Sequence, residues 1–104
     1  MATVVIEAGV CGFRTTVKSA MDGDNCRLEI TSDCPDVQRM ADDLQTVDPY
    51  GEISYRGGAP VALQAASRCL KHGACPVPCG IIKAVEVAAG LALPRDASIT
   101  VSAE

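Results

Sequence analysis

The spacing of apolar side chains changes once along this chain, and the change separates a region of strands from a region of helices. Before Cys34, apolar and polar residues alternate over residues 13–19 and 26–31, which is typical of half-buried strands. After Cys34, apolar residues recur at intervals of three and four, beginning with Val37 and Met40, which is the period of an amphipathic helix. Strands that precede helices in this way indicate an α+β fold, with one antiparallel sheet and the helices packed on one face.

Three strands are predicted before Cys34, over residues 3–8, 13–19 and 26–31. A glycine-rich turn joins the first two, and the turn sequence Asp22-Gly23-Asp24-Asn25 joins the second to the third. Strands joined by such short connections pair antiparallel. The sequence therefore predicts a three-stranded antiparallel sheet.

Proline marks the start of each of three predicted helices, where its fixed φ angle and missing N–H suit the first turn. The first begins at Pro35, the second runs from Pro60 to about Leu70, and the third begins within residues 75–79 and ends before Gly90. Glycine is common directly after a helix C-terminus. The three helices are expected to pack together on one face of the sheet.

The remaining segments complete a single domain over residues 1–104. Residues 46–59 are rich in Asp, Pro and Gly and are predicted to be a connector with a brief extended piece near Ile53. Residues 97–101 are predicted to form a short C-terminal strand. With 104 residues and 48% hydrophobic side chains, one such domain can bury its own core.

Charge and hydropathy limit the classes of partner and the cellular location that we expect for the protein. Nine basic against thirteen acidic residues give a net charge of −4, and the basic residues form no cluster, so a nucleic-acid partner is not expected. The N-terminal residues lack the basic leader and apolar stretch of a signal peptide, and no apolar run is long enough to span a bilayer. We therefore expect a soluble cytoplasmic protein without a membrane partner.

Six cysteines in a chain this short are the main functional signal. In a compartment where thiols stay reduced, they indicate metal, cluster or sulfur chemistry before disulfides. Three of them stand at element boundaries, namely Cys11 in the glycine-rich turn, and Cys34 and Cys75 directly before prolines. A helix N-terminus favours the thiolate, which is the form that acts as a nucleophile or a metal ligand.

Two further residues are candidates for the same site. Cys79 follows Cys75 by four residues, close enough on a helix to share a ligand with it, although the same spacing also suits packing. His72, the only histidine, is either a solvated helix-end residue or an additional ligand. Cys26 shares a strand face with apolar residues and Cys69 lies within a predicted helix, so both are expected to be packing residues.

The order of strands, helices and cysteines resembles the iron–sulfur cluster assembly scaffolds of the NifU N-terminal, IscU-like type, which have the SufE/NifU fold. In that family the first cysteine opens a strand as Cys-Gly-Asp, and Cys11-Gly12-Phe13 matches two of the three residues. The second cysteine follows the third strand, as Cys34 does, and the third opens the last long helix, as Cys75 does. The separations of 23 and 41 residues are also similar, and the likeness covers about residues 3–90.

The resemblance implies an iron–sulfur cluster or zinc site made by Cys11, Cys34 and Cys75 and completed by Cys79 or His72. The family's histidine adjoins its third cysteine, whereas His72 lies three residues before Cys75, so Cys79 is the alternative fourth ligand. The resemblance also implies a role in iron–sulfur cluster assembly or metal handling. A cysteine desulfurase or an acceptor apoprotein would then be the partner.

A shorter likeness favours a different function. Cys75-Pro76-Val77-Pro78, followed by a helix, is similar to the Cys-Pro-x-Pro motif of TusA-type sulfur carriers, in which the cysteine at a helix start carries a persulfide. The alternatives are therefore a sulfur-transfer or redox protein that uses Cys75, and a binding or structural module whose cysteines only pack. Other enzyme chemistry has little support, because the chain has one histidine and neither a nucleophile elbow nor a phosphate-binding glycine loop.

Overall fold

Four strands form one antiparallel sheet in the computed structural model, which describes all 104 residues. Strands β1 (Ala2–Glu7), β2 (Arg14–Asp22) and β3 (Asn25–Ser32) form a meander, and β4 (Thr46–Val47) pairs with the start of β3. The α+β class and the antiparallel meander are confirmed, but the prediction of three strands was wrong. The fourth strand has only two residues, too few to produce an alternating pattern in the sequence.

Three helices occur in the order predicted from the prolines. They are α1 (Pro35–Ala41), α2 (Val61–Cys69) and α3 (Val77–Ala88). Helix α3 ends at a left-handed Gly90 with a φ of 73°, and the amides of Gly90 and Leu91 donate back to carbonyls of the last turn. This is the C-terminal arrangement that the glycine predicts. No helix is both long enough and apolar enough to cross a lipid bilayer.

One face of the sheet carries the helices and the other is open. Alternate residues of β2 and β3 are buried while most of their neighbours are exposed, as expected when an antiparallel sheet packs on one side only. Helix α1 packs on β3, and α3 packs mainly on β1 and β2. The buried apolar core consists of Ile6, Val17, Cys26, Leu28, Ile30, Val37, Met40, Ala41, Leu44, Val47, Ala62, Ala65, Val77, Ile81, Ala84 and Val85.

Helix α3 runs along the sheet in the direction opposite to β1, and this defines two ends of the molecule. Near its start, Gly80 lies against Ile6 at the end of β1. Further along, the Ala84 carbonyl accepts a hydrogen bond of 2.8 Å from Ser19, which pairs with the start of β1. We call the end that carries the connection of residues 8–13 the loop end, and the end that carries the β2–β3 turn the hairpin end.

A buried carboxylate fixes the start of α2. Pro60 is the N-cap residue and makes no side-chain hydrogen bond. Glu52 follows β4 and a 3₁₀ turn at Pro49–Gly51 on the hairpin side of the molecule, and it accepts hydrogen bonds of 2.8 Å from the amides of Val61 and Ala62. A carboxylate in this position satisfies free N–H groups and interacts favourably with the helix dipole.

Two predicted extended segments are not formed. Residues 97–101 have no strand structure and no sheet partner, so the predicted C-terminal strand was wrong. The predicted extended piece near Ile53 was also wrong, because the Ile53 amide donates to the Pro49 carbonyl at 3.2 Å, four residues back, as in a helical turn. In both places β-branched residues favour a strand, but a strand forms only where a neighbour is available to pair with it.

Candidate thiol site

Three connections lie at the loop end of the sheet, and each carries at least one cysteine. Cys11 lies in the connection of residues 8–13, and Cys34 follows β3 as the N-cap residue of α1. Cys75 stands two residues before the first residue of α3, and Cys79 lies in the first turn of that helix. The cysteines predicted at element boundaries therefore lie at boundaries in the structure.

A row of residues across the sheet holds the connection between β3 and α1, which carries Cys34. Ile6, Thr15 and Ser32 are aligned on adjacent strands, and the hydroxyls of Thr15 and Ser32 form a hydrogen bond of 2.7 Å. The Cys34 amide donates to the Ser32 hydroxyl at 3.1 Å. The backbone of Cys34 is thus tied to the row, while its side chain makes no capping hydrogen bond.

The start of α3 is held against the same row by a glycine. Gly80 is buried, and a methyl group at its position would overlap the side chain of Ile6. This close approach places Cys79, next to Gly80, and Cys75, before the first turn, at the loop end. Cys75 is half-buried and packs against the core, whereas Cys79 is exposed.

The end of α2 lies beside the start of α1. The Asp36 carboxylate of α1 lies 2.6 Å from Arg39 Nη2 and 3.9 Å from Lys71 Nζ, and Arg39 also donates to the Cys69 carbonyl at 3.5 Å. The chain that leaves α2 therefore passes α1 before it reaches α3. Cys69 is half-buried in this segment and packs against the core, and His72 is exposed.

Five of the six thiols thus lie toward the loop end, and the sixth does not. Cys26 lies at the start of β3, near the hairpin end, where it is completely buried and its Sγ lies 3.8 Å from the Arg27 carbonyl. Burial raises the pKa of the Cys26 thiol, because the thiolate is poorly solvated there. The prediction that Cys26 is a packing residue is confirmed. All six cysteines are free thiols.

The thiols at the loop end do not form a closed coordination sphere. No three side chains of His, Cys, Asp or Glu are placed to hold a metal ion in common. Cys34 and Cys75 lie at the margin of the core, and Cys11 and Cys79 lie on the surface. The loop end therefore offers two anchored donors and two accessible ones, together with the exposed His72 between α2 and α3.

The loop that carries Cys11 is held by its own backbone. The Ala8 amide donates to the Phe13 carbonyl at 3.2 Å and the Gly12 amide to the Gly9 carbonyl at 2.9 Å, and no hydrogen bond joins the loop to a helix. Gly9 and Gly12 both have positive φ angles, which glycine adopts without strain. The position of Cys11 is thus set independently of the helices that carry other thiols.

Sequence reasoning missed two supports of this site. Gly80 is a single glycine inside a helical pattern, where glycine is less favourable than alanine, but the sequence does not show that Ile6 lies against it. The strand alternation places Thr15 on the buried face, but it does not show that Thr15 shares its hydroxyl with Ser32. Both supports depend on contacts between residues far apart in the sequence.

The fold and the thiols define a small α+β protein with a cysteine-rich end. Residues 2–101 match the family of unknown function DUF6951, and the chain belongs to this family. The matched region contains all four strands, all three helices and all six cysteines. No curated protein and no solved structure shows detectable similarity to the chain.

Proposed function

We propose that the protein binds an iron–sulfur cluster or a zinc ion at the loop end through Cys11, Cys34 and Cys75. The observation that carries this proposal is the placement of three separate connections, each with a cysteine, at one end of the sheet. Thiolates select zinc or iron–sulfur clusters over hard cations. The donors at this end are therefore of the type that such a site requires.

Cys79 is the better fourth donor of the two candidates. It lies in the first turn of α3, four residues after Cys75, and its side chain is exposed. A fourth thiolate would hold a soft metal more tightly than an imidazole would. His72 lies in the connection between α2 and α3 and is the alternative ligand.

Binding requires the donors to come closer together, because no three of them are placed to hold a metal ion in common, and we propose that Cys11 approaches the start of α3. The loop of residues 8–13 has no hydrogen bond to a helix that would oppose this movement. Cys34 and Cys75 pack at the core margin and provide the fixed half of the site. Metal binding is commonly coupled to such local ordering.

The role that we propose is that of a scaffold or carrier in cytoplasmic iron–sulfur or sulfur metabolism. The resemblance of the order of elements and cysteines to cluster assembly scaffolds supports this role. A cysteine desulfurase or an acceptor apoprotein is the expected partner. The net charge of −4 supports a partner other than nucleic acid.

Metal analysis after anaerobic purification and reconstitution tests the proposal. We expect about one metal ion or cluster per chain, measured as iron with sulfide or as zinc. Cys75→Ser should lower the bound metal about tenfold or more, because a ligand is lost. The matched control is Cys26→Ala, which removes the thiol near the hairpin end and should leave the stoichiometry unchanged.

Two results would contradict metal binding at the loop end. One is a wild-type chain that holds less than about one metal per several chains while its thiols are intact. The other is a Cys26→Ala variant that loses metal as fully as Cys75→Ser. Circular dichroism of each variant separates loss of the metal from loss of the fold.

A specific observation favours a second function, which is sulfur transfer through Cys75. This thiol is half-buried, directly before the N-cap residue Pro76, and belongs to no group of three donors. In the transfer, the Cys75 thiolate attacks the outer sulfur of a persulfide on a cysteine desulfurase. Cys75 then carries that sulfur as a persulfide, and the desulfurase cysteine leaves as a thiolate. Mass spectrometry that finds one added sulfur on Cys75, without metal, would favour this function.

A further inference from the structure

One long edge of the sheet has no partner within the chain. Strand β1 is an outermost strand and pairs only with β2. The backbone N–H and C=O groups along its outer side are therefore free to pair with another strand. The opposite edge is β4, which has only two residues. Strand β1 is thus the edge that can accept an added strand.

The C-terminal tail has the pattern of a strand but no strand to pair with. Every residue in 93–104 is exposed, and the exposed fractions of Ile99 and Val101 reach 85% and 86%. These two residues alternate with Ser98 and Thr100, which is the period of a strand with one apolar and one polar face. The tail up to Val101 also lies within the region that matches the family.

The apolar face of the tail fits an incompletely covered margin beside β1. Val4 of β1 and Ile82 of α3 pack against the core but are only half-buried. A strand added along the outer edge of β1 would place alternate side chains on the helix-bearing side, next to this margin. Ile99 and Val101 would then be covered, while the polar residues between them would face solvent.

We propose that two copies of the chain exchange their tails, so that each tail adds a fifth strand to β1 of the other copy. A second copy is the occupant because the tail does not pack on its own chain. The segment from Ala89 to Ser98 spans up to about 30 Å when extended, which is enough to reach a neighbouring molecule. Reciprocal exchange about a two-fold axis covers both free edges and both tails at once.

Analytical ultracentrifugation of the full chain tests the exchange. We expect a concentration-dependent dimer of twice the 10.8 kDa chain mass. The double variant Ile99→Lys/Val101→Lys should raise the dimer dissociation constant about 100-fold or more, because it buries charge at an apolar margin. The matched control Ser98→Lys/Thr100→Lys adds the same charge on the solvent-facing side and should dimerise like the wild type.

Hydrogen exchange locates the interface. The outward amides of β1 and the amides of residues 98–101 should exchange more slowly at concentrations where the dimer forms than where the chain is monomeric. A wild type that stays monomeric at millimolar concentration overturns the proposal, as does a monomer with protected tail amides, which would pair its tail with its own sheet. A dimer that persists in Ile99→Lys/Val101→Lys also overturns it, because it would use another surface.

Discussion

The hairpin end and the loop end of the molecule use their polar groups differently. Toward the hairpin end, the Glu52 carboxylate accepts two amide hydrogen bonds at the start of α2, and the Asp48 carboxylate accepts one from the Tyr50 amide. At the loop end, Cys34 stands in an N-cap position, yet its thiol makes no capping hydrogen bond. The carboxylates toward the hairpin end therefore bind the backbone, and the Ser32 hydroxyl does so at the loop end, whereas the Cys34 thiol does not.

The carboxylates toward the hairpin end therefore serve stability, and the thiols at the loop end are the groups available for binding. A carboxylate that is fully hydrogen-bonded inside the fold stabilises the folded state and has little capacity left for a ligand. No buried side-chain nitrogen or oxygen lacks a hydrogen-bond partner. The half-buried thiols of Cys34 and Cys75, by contrast, hold no part of the fold together through a hydrogen bond of their side chains and remain available to a ligand.

The largest effect on stability is expected at the hairpin end. Glu52→Ala leaves the amides of Val61 and Ala62 without acceptors, so the free energy of unfolding should fall by about 3 kcal/mol. Urea denaturation measures this change, and Glu52→Gln, which keeps one amide acceptor, should cost less. If Glu52→Ala unfolds at the same urea concentration as the wild type, the carboxylate does not hold α2 and the contrast between the ends fails.

The next largest effect on stability is expected at Gly80, where the start of α3 contacts the sheet. Gly80→Ala places a methyl group into the side chain of Ile6 and should lower the free energy of unfolding by about 2 kcal/mol, although alanine is the better helix former. Because the start of α3 must shift, bound metal should fall as well. The double variant Ile6→Ala/Gly80→Ala makes room for the methyl group, so its destabilisation should be less than the sum of the single changes.

A smaller effect concerns the buried thiol near the hairpin end. Burial raises the pKa of the Cys26 thiol above its ordinary value of 9.0, so the unfolded chain loses this proton first as the pH rises. The contribution to stability is fully present below the ordinary pKa and is lost as the pH rises through the folded-state pKa. Urea denaturation near neutral pH and above pH 9.0 should therefore show a steeper loss of stability in the wild type than in Cys26→Ala. Equal slopes would contradict a buried, neutral Cys26.

The smallest effect is expected from the exposed thiol of α3. Cys79→Ala should change the free energy of unfolding by less than about 0.5 kcal/mol, whereas Cys26→Ala should cost about 1 kcal/mol because it empties part of the core. Urea denaturation of the two variants compares the same substitution at the two ends. A loss at Cys79 as large as that at Cys26 would mean that the loop-end thiols also serve the core.

Much of the fold was predictable because it follows from short-range patterns. The alternation around Val17 and Leu28 predicted two strands with the correct buried face, and both residues are buried. Pro35 and Pro60 predicted where the first two helices begin, and the structure places them at N1 of α1 and at the N-cap of α2. These patterns need only the residue and its near neighbours.

The remaining features depend on contacts between distant residues. Val47 is a strand residue because it pairs with Cys26 of β3. Glu52 accepts a hydrogen bond from the first residue of α2, although it lies outside that helix. The boundary positions of Cys11 and Cys34 were predictable from turns and prolines. Their position at the same end of the sheet follows from how the strands pair and in which register. The sequence does not specify that pairing directly.

The Glu52 carboxylate also holds the two ends of a surface loop together. The chain leaves the body of the protein after Ile53 and returns beside Glu52 at Pro60, because the amides of Val61 and Ala62 bind the Glu52 side chain. Residues 54–59 are exposed throughout, so a change in the length or composition of this loop does not alter the packing of the core. A peptide, a fluorophore or an affinity tag inserted between Gly57 and Gly58 would be carried as a surface excursion, since closing a longer loop adds little entropic cost.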